Sequence, residues 1–268
     1  MVGTARGLMS DLMSDLTRDL MDDVRGAIAF LTRIPMPHPE GSRPADFVRA
    51  HRVFPLVGAA IGAAVGLLYV GLLAMGMPKP AAAALALGAG ALITGALHED
   101  GLADLADGFG GGRDRAQKLE IMRDSRLGTY GALVLLVAFA AKVSALAALP
   151  QDAVLPGLIA AHALARTPMT AMAWLMDPAR KDGLSASAGR PDAATVTISL
   201  LVAVAIAVLV LPWRDALLSA TAVAAGALAV AVLAQRQIGG HTGDVLGASE
   251  QVGEIAVLLL LACRHAAG

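Results

Sequence analysis

Asp100, Asp104 and Asp107 stand in "HEDGLADLADGFGGG", residues 98–112, among small and apolar neighbours. Wound as a helix at about 100° per residue, the three carboxylates fall within an arc of roughly 60°. Leu102, Leu105, Ala106 and Phe109 take the opposite arc. Like charges on one helix face repel, so a cation must offset them if the face is not simply solvated. A hard divalent ion bound through oxygen does so, and Mg²⁺ typically takes one or two carboxylates plus substrate phosphates. The expected metal ligands are therefore Asp100, Asp104 and Asp107, with Glu99, pointing about 100° away from Asp100, as a further candidate. The glycines beside the carboxylates permit close approach of a ligand, which a plain surface does not require.

Basic residues follow in "GGGRDRAQKLEIMRDSRLGTYG". Arginine forks suit phosphate oxygens, and Arg113, Arg123, Ser125 and Arg126 are the expected phosphate-handling side chains. Asp124 lies between two arginines and joins Asp100, Asp104 and Asp107 as a candidate catalytic carboxylate. A second acidic group occurs in "GGHTGDVLGASEQVGEIA", where Asp244 follows three glycines and Glu250 and Glu254 are four apart. Carboxylates in an apolar segment are costly unless they meet a cation, a partner or water. Asp244, Glu250 and Arg166, the last in "HALARTPM", are expected either to line a polar substrate cavity or, for Arg166 and a glutamate, to form a buried pair.

These pieces specify a chemistry. Carboxylates hold one or two Mg²⁺ ions on a diphosphate, arginines position its other oxygens, and a free aspartate accepts a proton from an attacking hydroxyl. No Walker A loop, Rossmann fingerprint or nucleophile elbow is present.

The elements that must position these groups are apolar helices. Of 268 residues 56% are hydrophobic but only 3% aromatic, so the apolar character comes from small and aliphatic side chains, as in closely packed membrane helices. Largely uncharged runs cover 53–75, 80–97, 130–149, 154–176, 195–212, 216–234 and 245–262. A spanning helix needs about 20 such residues, which predicts an all-α, polytopic membrane bundle of about seven transmembrane helices. Residues 8–24 alternate leucines at i, i+4 with aspartates, predicting an amphipathic helix that covers the protein's own cytoplasmic side. The chain is thus divided into an N-terminal amphipathic segment, 1–52, and a transmembrane catalytic domain, 53–268. Assigning loops alternately to two sides gives 16 Lys+Arg on the side of the acidic motifs and 3 on the other. The positive-inside rule makes the first side cytoplasmic, placing the chain in the inner membrane with its acidic motif facing the cytoplasm. A net charge of −1 offers no field for nucleic acid, and one cysteine excludes a disulfide framework.

Three segments, "FLTRIPMP", "HEDGLADLADGFGGG" with "IMRDSRLGTYG", and "GGHTGDVLGASEQVGE", occur in an order that resembles the cobalamin synthase (adenosylcobinamide-GDP ribazoletransferase) family over about residues 25–262. The resemblance implies an Mg²⁺-dependent inner-membrane enzyme that joins adenosylcobinamide-GDP to α-ribazole, releasing GMP and adenosylcobalamin. α-Ribazole 5′-phosphate is the implied alternative acceptor, giving adenosylcobalamin 5′-phosphate. Its implied partners are these small molecules and membrane lipid. The acidic motif is also similar to that of the CDP-alcohol phosphotransferases, but the Ala-Arg that follows their second aspartate is Leu105-Ala106 here. A cation transporter is the reading from another class. Basic residues crowding beside the carboxylates argue against it.

Overall fold

The computed structural model describes residues 2–37, 44–182 and 189–266, with side chains from residue 17 in the first helix and from residue 46 in the second. Every regular element in it is helical: α1 (Val2–Leu31), α2 (Pro44–Ala50), a 3-10 turn (His51–Val53), α3 (Phe54–Ala74), α4 (Lys79–Thr94), α5 (Leu97–Gly111), α6 (Arg115–Ile121), α7 (Thr129–Ala148), α8 (Gln151–Ala165), α9 (Thr167–Leu175), α10 (Ala193–Val210), α11 (Trp213–Ile238) and α12 (Gly243–Ala266). Prolines mark where these helices start. Pro78, Pro150 and Pro212 precede α4, α8 and α11, and Pro55, Pro80 and Pro168 occupy first-turn positions of α3, α4 and α9, where a missing N–H costs nothing. The Asp192 carboxylate accepts from the Thr195 N–H at 2.7 Å and starts α10.

Five stretches are long and apolar enough to cross a bilayer: Asp46–Ala74, Thr129–Ala148, Ala193–Val210, Trp213–Ile238 and Gly243–Ala266. The pair α4–α5 makes a sixth if taken as one span broken by 91°. The chain is therefore an all-α polytopic membrane protein, and two of the seven expected runs fold differently from simple spans. Run 80–97 ends in the α4–α5 bend. Run 154–176 is divided into α8 and α9 at Arg166. At the other end, α2 and the 3-10 turn lead into α3 without a loop, so residues 52 and 53 lie inside continuous helical backbone.

The α4–α5 bend is made by Gly95 (φ +67°) and Ala96 (φ +56°), both left-handed. For alanine that conformation costs about 1 kcal/mol, so the surroundings must hold it. Part of that support comes from the first motif: the Arg33 N–H donates to the freed Ile93 carbonyl at 2.7 Å, and the Arg33 side chain lies where a Cβ on Gly95 would be. The bend lays α5 against α7 and α12. The acidic side of α1 is clamped: Asp23, 1% exposed, accepts from Arg49 Nε at 2.8 Å and pairs with Arg52. Phe30 stacks on Phe54 and meets Phe47 edge-on, closing the apolar side of that junction.

The tightest crossing is α3 on α8. Gly58, Gly62 and Gly66 recur every fourth residue, and their Cα positions face the His162 and Leu158 backbone and Leu155, a small-residue seam of the kind membrane helices use for close approach. A Cβ on Gly62 would lie 2.8 Å from the Leu158 carbonyl carbon. Backbone cannot yield as a side chain tip can, so Gly62→Ala is expected to destabilise by roughly 1–3 kcal/mol. Thermal unfolding in detergent checks this, and an unchanged midpoint would show that the seam has slack.

Candidate active site

The first acidic motif and the third meet because α5 crosses the start of α12 at two glycines. A Cβ on Gly101 would lie 3.0 Å from the Asp244 carbonyl oxygen, and one on Gly247 would lie 3.3 Å from the His98 Cα. This crossing sets Asp100 and Asp104 of α5 beside Asp244 of α12. The Asp104 carboxylate interacts electrostatically with Asp100, Asp244 and Asp107, and with one basic side chain, Arg180. Asp104 is half-buried, Asp100 exposed, and Asp244 18% exposed. Asp244 is held by the Thr242 hydroxyl, which donates to Oδ2 at 3.0 Å while accepting from the Val245 N–H at 3.3 Å.

Asp107 shares their helix face but has another occupation. Its Oδ2 accepts from the Gly128 N–H at 2.7 Å and its Oδ1 from the Gly131 N–H at 2.9 Å. It is buried and caps the first turn of α7 from outside that helix. Gly128 and Gly131 permit this, since a Cβ on either would strike the carboxylate.

Glu99 turns away from the aspartates, as its helical angle predicts. It accepts from Gln251 Nε2 at 3.3 Å and lies 3.9 Å from Lys142 Nζ. It thereby joins a second, buried assembly inside the bundle. Arg166 Nη1 of α8's end lies 2.9 Å from Glu250 Oε1 and 3.5 Å from Glu254 Oε1. His162 Nδ1 lies 2.5 Å from Glu254 Oε1, and Lys142 Nζ lies 3.4 Å from Glu254 Oε2 while donating to Gln251 Oε1 at 2.8 Å. His98 Nδ1 approaches Glu250 Oε2 at 3.5 Å. The cavity here, lined by His98, Glu99, Lys142, His162, Arg166 and Glu254 among others, is about 20 Å³, room for one water.

Of the two expectations for Arg166 and Glu250, substrate cavity or buried pair, this assembly shows the buried pair. They are 1% and 0% exposed and paired with each other inside the bundle, away from the exposed aspartate face. Among the described residues, His162, Glu250 and Glu254 form a group whose ligand atoms lie within 4.8 Å of one another. It does not suit Mg²⁺, which takes oxygen ligands, because one ligand is imidazole and Arg166 and Lys142 already supply the positive charge. Asp100, Asp104 and Asp244 offer only oxygen, and one guanidinium, Arg180, acts on Asp104 and Asp244, although their ligand atoms do not converge within 4.8 Å as those of the buried group do.

The predicted basic residues lie on the exposed 113–126 segment. Arg123 grips Asp182 through both carboxylate oxygens, at 2.5 and 2.6 Å. Arg126 grips Asp124 at 2.5–3.0 Å, and its hydrogen bonds hold the Asp124 carboxyl down at about 2. A carboxylate held that low is a poor proton acceptor at neutral pH. Arg113 and Ser125 are exposed. Arg115 instead ties loops together, donating through Nε to the Ile238 carbonyl and through Nη2 to the Ala179 carbonyl, each at 2.7 Å.

Two groups escaped the reading of the sequence. Lys142 carried a legible signal, being a lone charge in an apolar run. Arg180 carried none, because a loop pairing far away in sequence decides its position.

Comparison with known proteins agrees with the three-motif pattern. A family model described as cobalamin-5-phosphate synthase matches residues 23–262. An adenosylcobinamide-GDP ribazoletransferase of Bradyrhizobium diazoefficiens is 46% identical over 241 residues, covering 90% of this chain and 93% of that one. Proteins of the same name from Sinorhizobium medicae and Azorhizobium caulinodans are 44% and 43% identical, covering 90% and 88% of this chain and 96% and 94% of theirs. No solved structure matches the chain at a significant level.

Proposed function

The chain belongs to the cobalamin-5-phosphate synthase family, and we propose that it joins adenosylcobinamide-GDP to α-ribazole, or to α-ribazole 5′-phosphate, with release of GMP. It is a transferase of cobalamin biosynthesis. In the proposed reaction the ribazole hydroxyl oxygen bonds to the phosphorus attached to cobinamide. The bond from that phosphorus to the bridging oxygen breaks, and GMP leaves with the electron pair. Whichever of Asp100 and Asp104 keeps a carboxylate oxygen free of the ion accepts the hydroxyl proton.

What supports this reading most is the meeting of Asp100 and Asp104 with Asp244 at the Gly101 crossing. Those three side chains would hold the divalent ion, which we take to be Mg²⁺. When bound, it would offset the negative charge of the diphosphate. Asp107 supports the same surface from behind by fixing the start of α7, and Arg113 remains exposed to reach phosphate from the following loop. The transport reading has less to stand on. The buried carboxylates of α12 are met by Arg166, Lys142 and His162 around a cavity for one water.

The test is turnover in detergent. GMP release should need both α-ribazole and Mg²⁺, stop with a chelator, and accompany formation of a ribazole-containing corrinoid. GMP release without ribazole incorporation would refute the joining reaction.

Taking α4–α5 and α8–α9 each as one crossing, we further place the acidic face on the cytoplasmic side of the inner membrane, on the strength of the loop charges, 16 Lys+Arg against 3. Cys263 is the chain's only cysteine and is exposed near its C-terminus. In sealed right-side-out vesicles it should react with an impermeant maleimide before lysis. Labelling only after lysis would reverse the topology.

A further inference from the structure

We propose that Arg180 binds the phosphate oxygens of the nucleotide-activated substrate, a task the sequence assigned to Arg113, Arg123, Ser125 and Arg126. The inference rests on the transferase reading above and adds the basic arm of the same site. Arg123 and Arg126 spend their forks on Asp182 and Asp124. Arg180 does not. Its Nη2 is 3.7 Å from Asp244 Oδ2, too far for a hydrogen bond, and its Nη1 is buried with no hydrogen-bond partner among the described residues. A buried guanidinium N–H without an acceptor is costly. A diphosphate oxygen arriving at Asp100, Asp104 and Asp244 supplies what is missing.

The backbone that carries Arg180 is fixed. Its neighbour Ala179 donates to the His241 carbonyl at 2.8 Å, and His241 donates back to the Asp177 carbonyl at 3.0 Å. Arg115 clamps the Ala179 carbonyl from the other side. Gly240 makes the pairing possible, since a Cβ there would meet the Asp177 carbonyl and lie 3.0 Å from the Ala179 nitrogen. The glycines of the third motif thus hold one loop against another and aim a guanidinium at the carboxylates. Arg180 acts electrostatically on both Asp104 and Asp244, the position a phosphate-binding fork requires.

Two measurements on detergent-purified Arg180→Ala and Arg180→Lys decide it. In steady-state GMP release, the KM for adenosylcobinamide-GDP should rise about tenfold to a hundredfold in Arg180→Ala, with the KM for α-ribazole within about twofold and partial rescue by added guanidinium ion. Arg180→Lys keeps the charge beside Asp244 and so keeps the fold, yet lacks the fork and should show about a tenfold rise. Calorimetric binding of inorganic pyrophosphate with Mg²⁺ present should weaken in both variants by a similar factor. Unchanged pyrophosphate affinity in both variants, or equal KM changes for both substrates without rescue, overturns the assignment. A wild type that binds pyrophosphate through Arg180 but releases no GMP overturns the transferase reading and leaves the Arg180 assignment supported.

Discussion

Asp104→Asn is expected to lower Mg²⁺-dependent GMP release by at least about a hundredfold, while membrane insertion and thermal stability stay close to wild type. The substitution keeps volume and removes charge. Asp104 is half-buried at a crowded face where Asp100, Asp244 and Asp107 all act on it. Losing one of several repelling carboxylates relieves repulsion, so the fold does not suffer. What suffers is the oxygen set for the ion, or the acceptor for the hydroxyl proton. The contrast is Asp107→Asn, three residues along the same helix face. Its two oxygens accept from Gly128 and Gly131 at the start of α7, and an amide can replace only one of them. That change should lower stability by about 1–2 kcal/mol, as loss of a helix cap does, with turnover of the folded fraction within about tenfold of wild type. GMP release as a function of Mg²⁺, beside thermal unfolding, separates the two. If Asp104→Asn melts early and turns over normally while Asp107→Asn does the reverse, the assignments must be exchanged.

That pair also marks how far the sequence could be read. Helical period placed Asp100, Asp104 and Asp107 on one face and Glu99 off it, and the structure keeps both statements. Period cannot say that one of three identical side chains is used by backbone amides 21 and 24 residues later. The apolar runs gave the helices, yet two breaks hid inside them. Residues 80–97 are nearly all Ala, Leu and Gly, and nothing in the run marks Gly95, one of three glycines there, as a left-handed turn. Run 154–176 held His162 and Arg166 as its ionisable interruptions, with Pro168 just beyond, and it breaks at Arg166. Phosphate-binding arginines were sought where basic residues cluster, but surface clusters neutralise themselves with nearby aspartates. Arg180 is placed by pairing between the 177–179 and 240–241 segments, which no local pattern announces.

Arg166→Leu is expected to destabilise the protein by roughly 3–5 kcal/mol, the usual cost of removing one member of a buried ion pair. Arg166 stands at the break between α8 and α9. It donates to the His162 carbonyl at 2.7 Å, satisfying a helix-end acceptor, and lies 2.9 Å from Glu250. Its removal strands Glu250, which is 0% exposed and, among the described residues, keeps Gln251, a distant His98 and the neighbouring carboxyl of Glu254, with no close cation in Arg166's place. Charge deep in a bundle without a partner is what the membrane tolerates least. The double variant Arg166→Leu/Glu250→Leu removes both charges and should recover at least about half of the loss, since an apolar pair of similar volume often serves as well as a buried ion pair. Thermal unfolding in detergent gives the stabilities. Turnover of the folded double variant then decides the role. With both side chains confined inside the bundle, the KM for adenosylcobinamide-GDP should change by less than about threefold, well below the tenfold that loss of a charged hydrogen bond to substrate entails. A stable double variant whose KM rises tenfold or more would return Arg166 and Glu250 to the substrate site, and would mean that the buried assembly opens during the reaction.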